Sequence, residues 1–152
     1  MIRINLHPYG YLKMIETTEL FSNLKKMKIL LVDDDEWIRD SLSMFFEAEG
    51  CHLMALETAE EGIAALNKQG YDIIITDYRL PGMDGLTFLE RIQKLCPDAL
   101  KILITAYRSP GVVTKANRIG IHDFIEKPFT SETIEGSLSR LITASKQKGE
   151  MS

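Results

Sequence analysis

Five short apolar runs recur between Lys28 and Glu126, each parted from the next by a stretch with helical spacing, and this alternation limits the chain to a parallel α/β architecture. Lys28 to Val32, His52 to Leu56, Ile73 to Ile75, Ile102 to Ile104 and His122 to Glu126 have strand length and composition. The three isoleucines at 73 to 75 do not alternate with polar residues, so that strand must be covered on both faces, as a central strand of a parallel sheet is. Between the runs, Ile38, Leu42, Phe45 and Phe46 share one face of a helix over Glu36 to Glu47. Thr58 and Glu61 have the spacing of a capping box, and Gly70 ends the helix they open. Leu86, Leu89 and Ile92 mark a helix over Leu86 to Leu95, closed by Pro97. Ser109 before Pro110 starts a helix that runs to about Gly120, and Ser131 to Ile142 closes the series. Five βα units in a row predict an open sheet with right-handed crossovers and helices on both faces.

The ends of those strands carry reactive side chains. Asp33 and Asp34 follow the first, Asp77 the third, Thr105 the fourth and Lys127 the fifth. Open α/β sheets place their sites outside the carboxyl ends of the strands, so these residues are expected to meet in one crevice. Three carboxylates in one pocket repel each other unless a divalent cation sits among them, and carboxylate oxygens suit Mg2+. A hydroxyl and an ammonium opposite them would hold the oxygens of a phosphoryl group. Taken singly, each residue has a plain explanation: a solvated acidic turn, a capping aspartate, a β-favouring threonine, a surface lysine. Their joint placement points to phosphoryl transfer.

Composition narrows the class further. With 152 residues, 45% hydrophobic and 26% charged, one core is expected, and a formal net charge of −4 with no basic stripe argues against direct DNA binding. The apolar runs fall well short of the ~20 residues that span a bilayer, so a soluble, cytoplasmic protein with no membrane contact is expected. Cys51 and Cys96 stand in no metal or redox spacing and are assigned to packing. His7, His52 and His122 have no paired ligand in view. Trp37 is expected to pack at the start of its helix beside the acidic pocket.

Four pieces stand in order at predicted strand ends: ILLVDDD from Ile29, TDYRLPGMDG from Thr76, LITAY from Leu103 and DFIEKPF from Asp123. Asp34, Asp77, Thr105 and Lys127 follow one another at intervals of 43, 28 and 22 residues. On these pieces, residues 28–145 resemble a receiver domain of the bacterial response-regulator family. The resemblance implies a flavodoxin-like, doubly wound fold with a five-stranded parallel sheet in the order 2-1-3-4-5. It implies that Asp77 is the nucleophile, phosphorylated from a phosphohistidine on a sensor histidine kinase or phosphotransfer protein. Asp34 and Asp77 would bind Mg2+ directly, Asp33 through water, and Arg79 through its backbone carbonyl. Thr105, Lys127 and the Ala106 N–H would take the phosphoryl oxygens, and the Lys127–Pro128 bond would be cis. Phe124 stands where many members carry tyrosine. The output face would be the domain's fourth helix, fifth strand and fifth helix, signalling to a downstream protein from a monomer or a phosphorylation-dependent dimer. Such a protein is no enzyme beyond its own phosphorylation and dephosphorylation.

The ends are harder to place. Ile2, Ile4 and Leu6 alternate as an edge strand would, His7 to Gly10 is expected to turn, and Leu12, Ile15, Leu20, Leu24 and Met27 fall near one helical face. Residues 1–27 are therefore an extension, either an untethered tail or an added strand and helix, and residues 146–152 a polar tail. With 25 residues after Lys127, no output domain is expected in this chain. The alternative is a Mg2+-dependent phosphatase of the haloacid-dehalogenase type, in which Asp33 and Asp35 would supply the nucleophile and second acid, with Trp37 departing from its pattern. A flavodoxin is excluded because Asp33 to Asp35 would repel its flavin phosphate.

Overall fold

A computed structural model describes residues 8–150. Five strands, β1 (Lys28–Val32), β2 (His52–Leu56), β3 (Ile73–Asp77), β4 (Leu100–Thr105) and β5 (Asp123–Glu126), form one parallel sheet in the order β2-β1-β3-β4-β5. Six helices surround it: α1 (Pro8–Leu24), α2 (Glu36–Ala48), α3 (Ala59–Lys68), α4 (Gly85–Ile92), α5 (Pro110–Ile119) and α6 (Ser131–Glu150). The pleat divides each buried strand between two cores. Ile29, Leu31, Ile73 and Ile75 face α1, α2 and α6, whereas Leu30, Val32 and Ile74 face α3, α4 and α5. All of β3 is buried, which is why its isoleucines do not alternate with polar residues.

Local signals explain most boundaries. Asp35 caps α2 by accepting from the Trp37 N–H, and Thr58 and Glu61 form a complete capping box at α3. Ser109 caps α5 ahead of Pro110, and Gly120 ends that helix at φ 81°, a left-handed conformation that glycine adopts at little cost. Three boundaries differ from expectation. The helix α3 stops at Lys68, before Gly70, because Gln69 turns extended and its side chain bridges the Lys28 ammonium and the Tyr71 hydroxyl. Next, α4 ends at Ile92, where the bonding tightens: Gln93 N–H donates to the Glu90 carbonyl and Leu95 N–H to the Ile92 carbonyl, three residues back rather than four. Lastly, α6 runs on past Ile142 through helix-favouring polar residues to Glu150.

At the other end, the turn expected at residues 7–10 is not a turn over its described part: Pro8 to Gly10 are helical, with Pro8 at the first position, where proline lacks no bond it could have made. The strand expected over Ile2 to Leu6 lies outside the described residues. Leu20, Phe21 and Leu24 of α1 are buried in the same core as Phe46 of α2 and Leu138 of α6, and the Phe21 ring meets Phe45 edge-on at 5.8 Å. Lys13 lies beside Glu132 at the start of α6, and Asn23 and Lys146 border a crevice further along, so the two helices run parallel. This third helix seals the groove between α2 and α6. Leu24 has no exposed surface, so Leu24→Ala should lower the unfolding free energy by about 2–5 kcal/mol in a denaturant titration. A loss below about 1 kcal/mol would mean that α1 is not part of the core.

Candidate functional site

Strand ends set the site. Asp33 follows β1 and is fully buried; its N–H donates to the Leu56 carbonyl, and its Oδ1 accepts from the Asp35 N–H at 2.9 Å. Arg39 reaches back from α2 to the Asp33 carbonyl, also at 2.9 Å, and so pins the turn that carries the acids. Asp77 is the last residue of β3 and is likewise buried, whereas Asp34 is exposed. One carboxylate oxygen from each of Asp33, Asp34 and Asp77 lies within 4.8 Å of the others. Lys127, just beyond β5, sends its ammonium to Asp77 Oδ2 at 3.0 Å and stands 3.4 Å from Asp33 Oδ2. The Lys127–Pro128 bond is cis.

Thr105, Ala106 and Arg79 stand at the same edge of the sheet. Thr105 ends β4 and is buried, but its hydroxyl is engaged with its own loop: it donates to the Tyr107 carbonyl at 2.9 Å and accepts from the Tyr107 N–H at 3.2 Å. Ala106 and Arg79 lie in the exposed loops after β4 and β3. In the turn after β3, Gly82 has φ 81°, as expected of a turn glycine. Gly85 serves differently. Its N–H donates to the Tyr78 carbonyl at 2.7 Å, and a Cβ there would strike the Asp77 carbonyl oxygen, so only glycine lets α4 begin against the Asp77 backbone. Neither this close approach nor the Arg39 contact leaves a signal in the local sequence.

Electrostatics set the protonation states. Burial pushes the Asp33 carboxyl from 3.8 up to about 6; the Asp35 N–H opposes that rise, the Asp77 charge adds to it, and Lys127 opposes it. Burial also disfavours the Lys127 ammonium, but its hydrogen bond to Asp77 and the charges of Asp33 and Asp77 outweigh that and hold its pKa above the usual lysine value. The ammonium's short bond goes to Asp77. At 3.4 Å its contact with Asp33 is an ion pair without hydrogen-bond geometry, which leaves Asp33 Oδ2 the buried side-chain oxygen without a hydrogen-bond partner among the described residues. A buried oxygen left without a partner, facing two further carboxylates, fits a hard divalent cation.

Trp37 does not pack beside the acids as expected; it is 78% exposed. It borders an apolar groove between α2 and the loop after β5, which is also lined by Phe45, Lys127 and Phe129. As the second residue of α2, it lies on the helix's solvent-exposed side. Both cysteines are buried free thiols, in keeping with packing. His122 Nδ1 accepts from the Lys101 N–H at 3.0 Å, at the amino end of the sheet and away from the acids.

Comparison with known proteins bears out the fold. The profile of the response regulator receiver domain family matches residues 29–139. The chain is 34% identical over 112 residues to the C4-dicarboxylate transport transcriptional regulatory protein DctD of Rhizobium meliloti, an alignment that covers 74% of this chain and 24% of DctD. It is 36% identical over 127 residues to the transcriptional regulatory protein YkoG of Bacillus subtilis, covering 83% of this chain and 54% of YkoG. The chain thus spans a quarter to about half the length of these relatives. Its fold superposes on a CheY-like response regulator receiver domain protein from Methanospirillum hungatei with a TM-score of 0.76 at 30% identity, over 80% of this chain and 98% of that one.

Asp33 holds its proton to a higher pH in the folded chain, about 6, than its ordinary value of 3.8. The stability its protonated form contributes is therefore complete below 3.8 and lost as the pH rises through 6. Without divalent cations, Asp33→Asn should become more stable than the wild type as the pH is raised from about 4 to about 7, by about 3 kcal/mol at the upper end. Denaturant titrations across that range measure the difference. A gap that does not widen with pH would mean that the Asp33 carboxylate is not held at a cost.

Proposed function

This chain belongs to the response regulator receiver domain family, and on that footing we propose that Asp77 accepts a phosphoryl group from a phosphohistidine on a sensor histidine kinase or phosphotransfer protein, with Mg2+ bound in the acidic cluster. The observation that carries the reading is the Lys127 ammonium at 3.0 Å from Asp77, in a pocket where three carboxylates lie within 4.8 Å of one another. Asp33, Asp34 and Asp77, with the Arg79 carbonyl, would hold Mg2+, which when bound neutralises charge on the transferred group. The Asp77 carboxylate forms the new P–O bond as the P–N bond to the donor imidazole breaks, and the imidazole takes up a proton. Lys127, 3.0 Å from Asp77 Oδ2, would hold a phosphoryl oxygen and keep the Asp77 carboxylate aimed. The Thr105 hydroxyl exchanges its Tyr107 partners for another phosphoryl oxygen, with the Ala106 N–H beside it.

Phosphorylation replaces the single charge of the Asp77 carboxylate with a phosphoryl group of about −1.5 to −2 and three strong acceptor oxygens, and the turn of Thr105 towards it opens space in which the Phe124 ring can move. The surface that changes is α5, β5 and α6, and its output is contact with a downstream protein. DNA binding in relatives with transcriptional names then belongs to their other parts. No helix among the described residues is long and apolar enough to cross a membrane, which suits a cytoplasmic switch. The phosphatase alternative gains no support from Asp35, which is exposed and uses its carboxylate to cap α2.

Incubation with acetyl phosphate and Mg2+ should add the mass of one phosphoryl group to the intact protein. Asp77→Asn or removal of the metal should abolish that gain. Repeated turnover of a phosphate ester, or undiminished labelling of Asp77→Asn, would overturn the reading.

A further inference from the structure

The loop Ala106–Ser109 between β4 and α5 carries two restraints at once. Its Tyr107 backbone holds the Thr105 hydroxyl from both sides, at 2.9 and 3.2 Å. Its next residue, Arg108, lays its guanidinium over the Phe124 ring, 4.8 Å from the centroid. Ser109 then fixes the far end of the loop, accepting from the Val112 N–H and capping α5. Between those two anchors lie three exposed residues, with Tyr107 73% exposed, so few other contacts hold the loop. Phe124 is itself only partly buried, and phenylalanine offers no hydroxyl through which its position could be fixed. Against an exposed ring face, a guanidinium is the available attraction, and planar stacking suits it better than an ammonium.

We infer that Arg108 is a positioning residue that sets the balance of the switch, holding Phe124 in its present place and so opposing the reorganisation that follows phosphorylation of Asp77. The coupling is mechanical. For Thr105 to turn to a phosphoryl oxygen it must release both Tyr107 groups, and the freed loop carries Arg108 away from the ring. In the other direction, a ring held under Arg108 keeps the loop, and with it Thr105, in the unphosphorylated arrangement. Arg108 touches neither the phosphoryl group nor the acids; it acts through Phe124 and Thr105.

This inference rests on the phosphoryl-acceptor reading above, and the test separates the two. Beryllofluoride with Mg2+, which stands in for the phosphoryl group, is titrated into the full chain and its dissociation constant measured by calorimetry. Arg108→Ala should bind beryllofluoride about two- to five-fold more tightly than the wild type, the equivalent of one exposed cation–π contact removed from the resting state. Mg2+ affinity alone should not change. Arg108→Lys should fall between Arg108→Ala and the wild type, and in a Phe124→Leu background Arg108→Ala should have no effect. Unchanged or weaker binding by Arg108→Ala, or the same gain in the Phe124→Leu background, would overturn the role of Arg108 alone. A wild type that takes up no beryllofluoride would overturn the acceptor reading and this inference with it.

Discussion

The contact between the Lys127 ammonium and the Asp77 carboxylate ties together the carboxyl ends of strands that are not neighbours in sequence. Asp77 ends β3 and Lys127 follows β5, with β4 between them in the sheet. For the ion pair to close at 3.0 Å, three parallel strands must keep their register and all end at one level. Removing water from a buried acid is unfavourable, and the Asp33 carboxyl is pushed up chiefly by its burial, with the Asp77 charge adding to the rise and Lys127 opposing it. The pocket is therefore electrostatically incomplete. A second cation would supply what is missing, and under the proposed function a transferred phosphoryl group would gain from the same positive charge.

The covering of the sheet explains how that pocket is held rigid. Two cores sandwich the strands, and Gly85 lets α4 start in direct contact with the Asp77 backbone. The helix α1 adds a layer that the receiver profile, which begins at residue 29, does not include. By filling the groove between α2 and α6, it buries apolar surface on one side of the domain and leaves α5, β5 and the loop after β4 open on the other. Under the proposed function, a partner reading the phosphorylated state would meet that open side. The Asp123 carboxylate also accepts from Ser137 and Arg140 there, which ties β5 to α6.

Much of this was legible in the residues. Period-free isoleucines at 73 to 75 marked the central strand, caps at Thr58 and Ser109 marked helix starts, and reactive residues at strand ends located the crevice. What escaped depends on long-range contact or on which side of a helix faces water. Pro8 suits a turn as well as a helix start, and only packing of Leu20, Phe21 and Leu24 decides between them. Trp37 was expected to pack beside the acidic pocket, yet the inward face of α2 is filled by Leu42 and Phe46 and the indole is left exposed. The cation–π contact of Arg108 and the reach of Arg39 to the Asp33 carbonyl join residues whose spacing follows no motif.

The most direct test of a single cation-centred pocket is a crystal structure of the full chain with Mg2+ and beryllofluoride. The account predicts beryllium bonded to the Asp77 carboxylate, the metal contacted by Asp33 and Asp34, and the Lys127 ammonium and Thr105 hydroxyl each about 3 Å from a fluorine. A complex in which Lys127 turns out of the cavity, or in which the metal is held without Asp33 and Asp34, would contradict it.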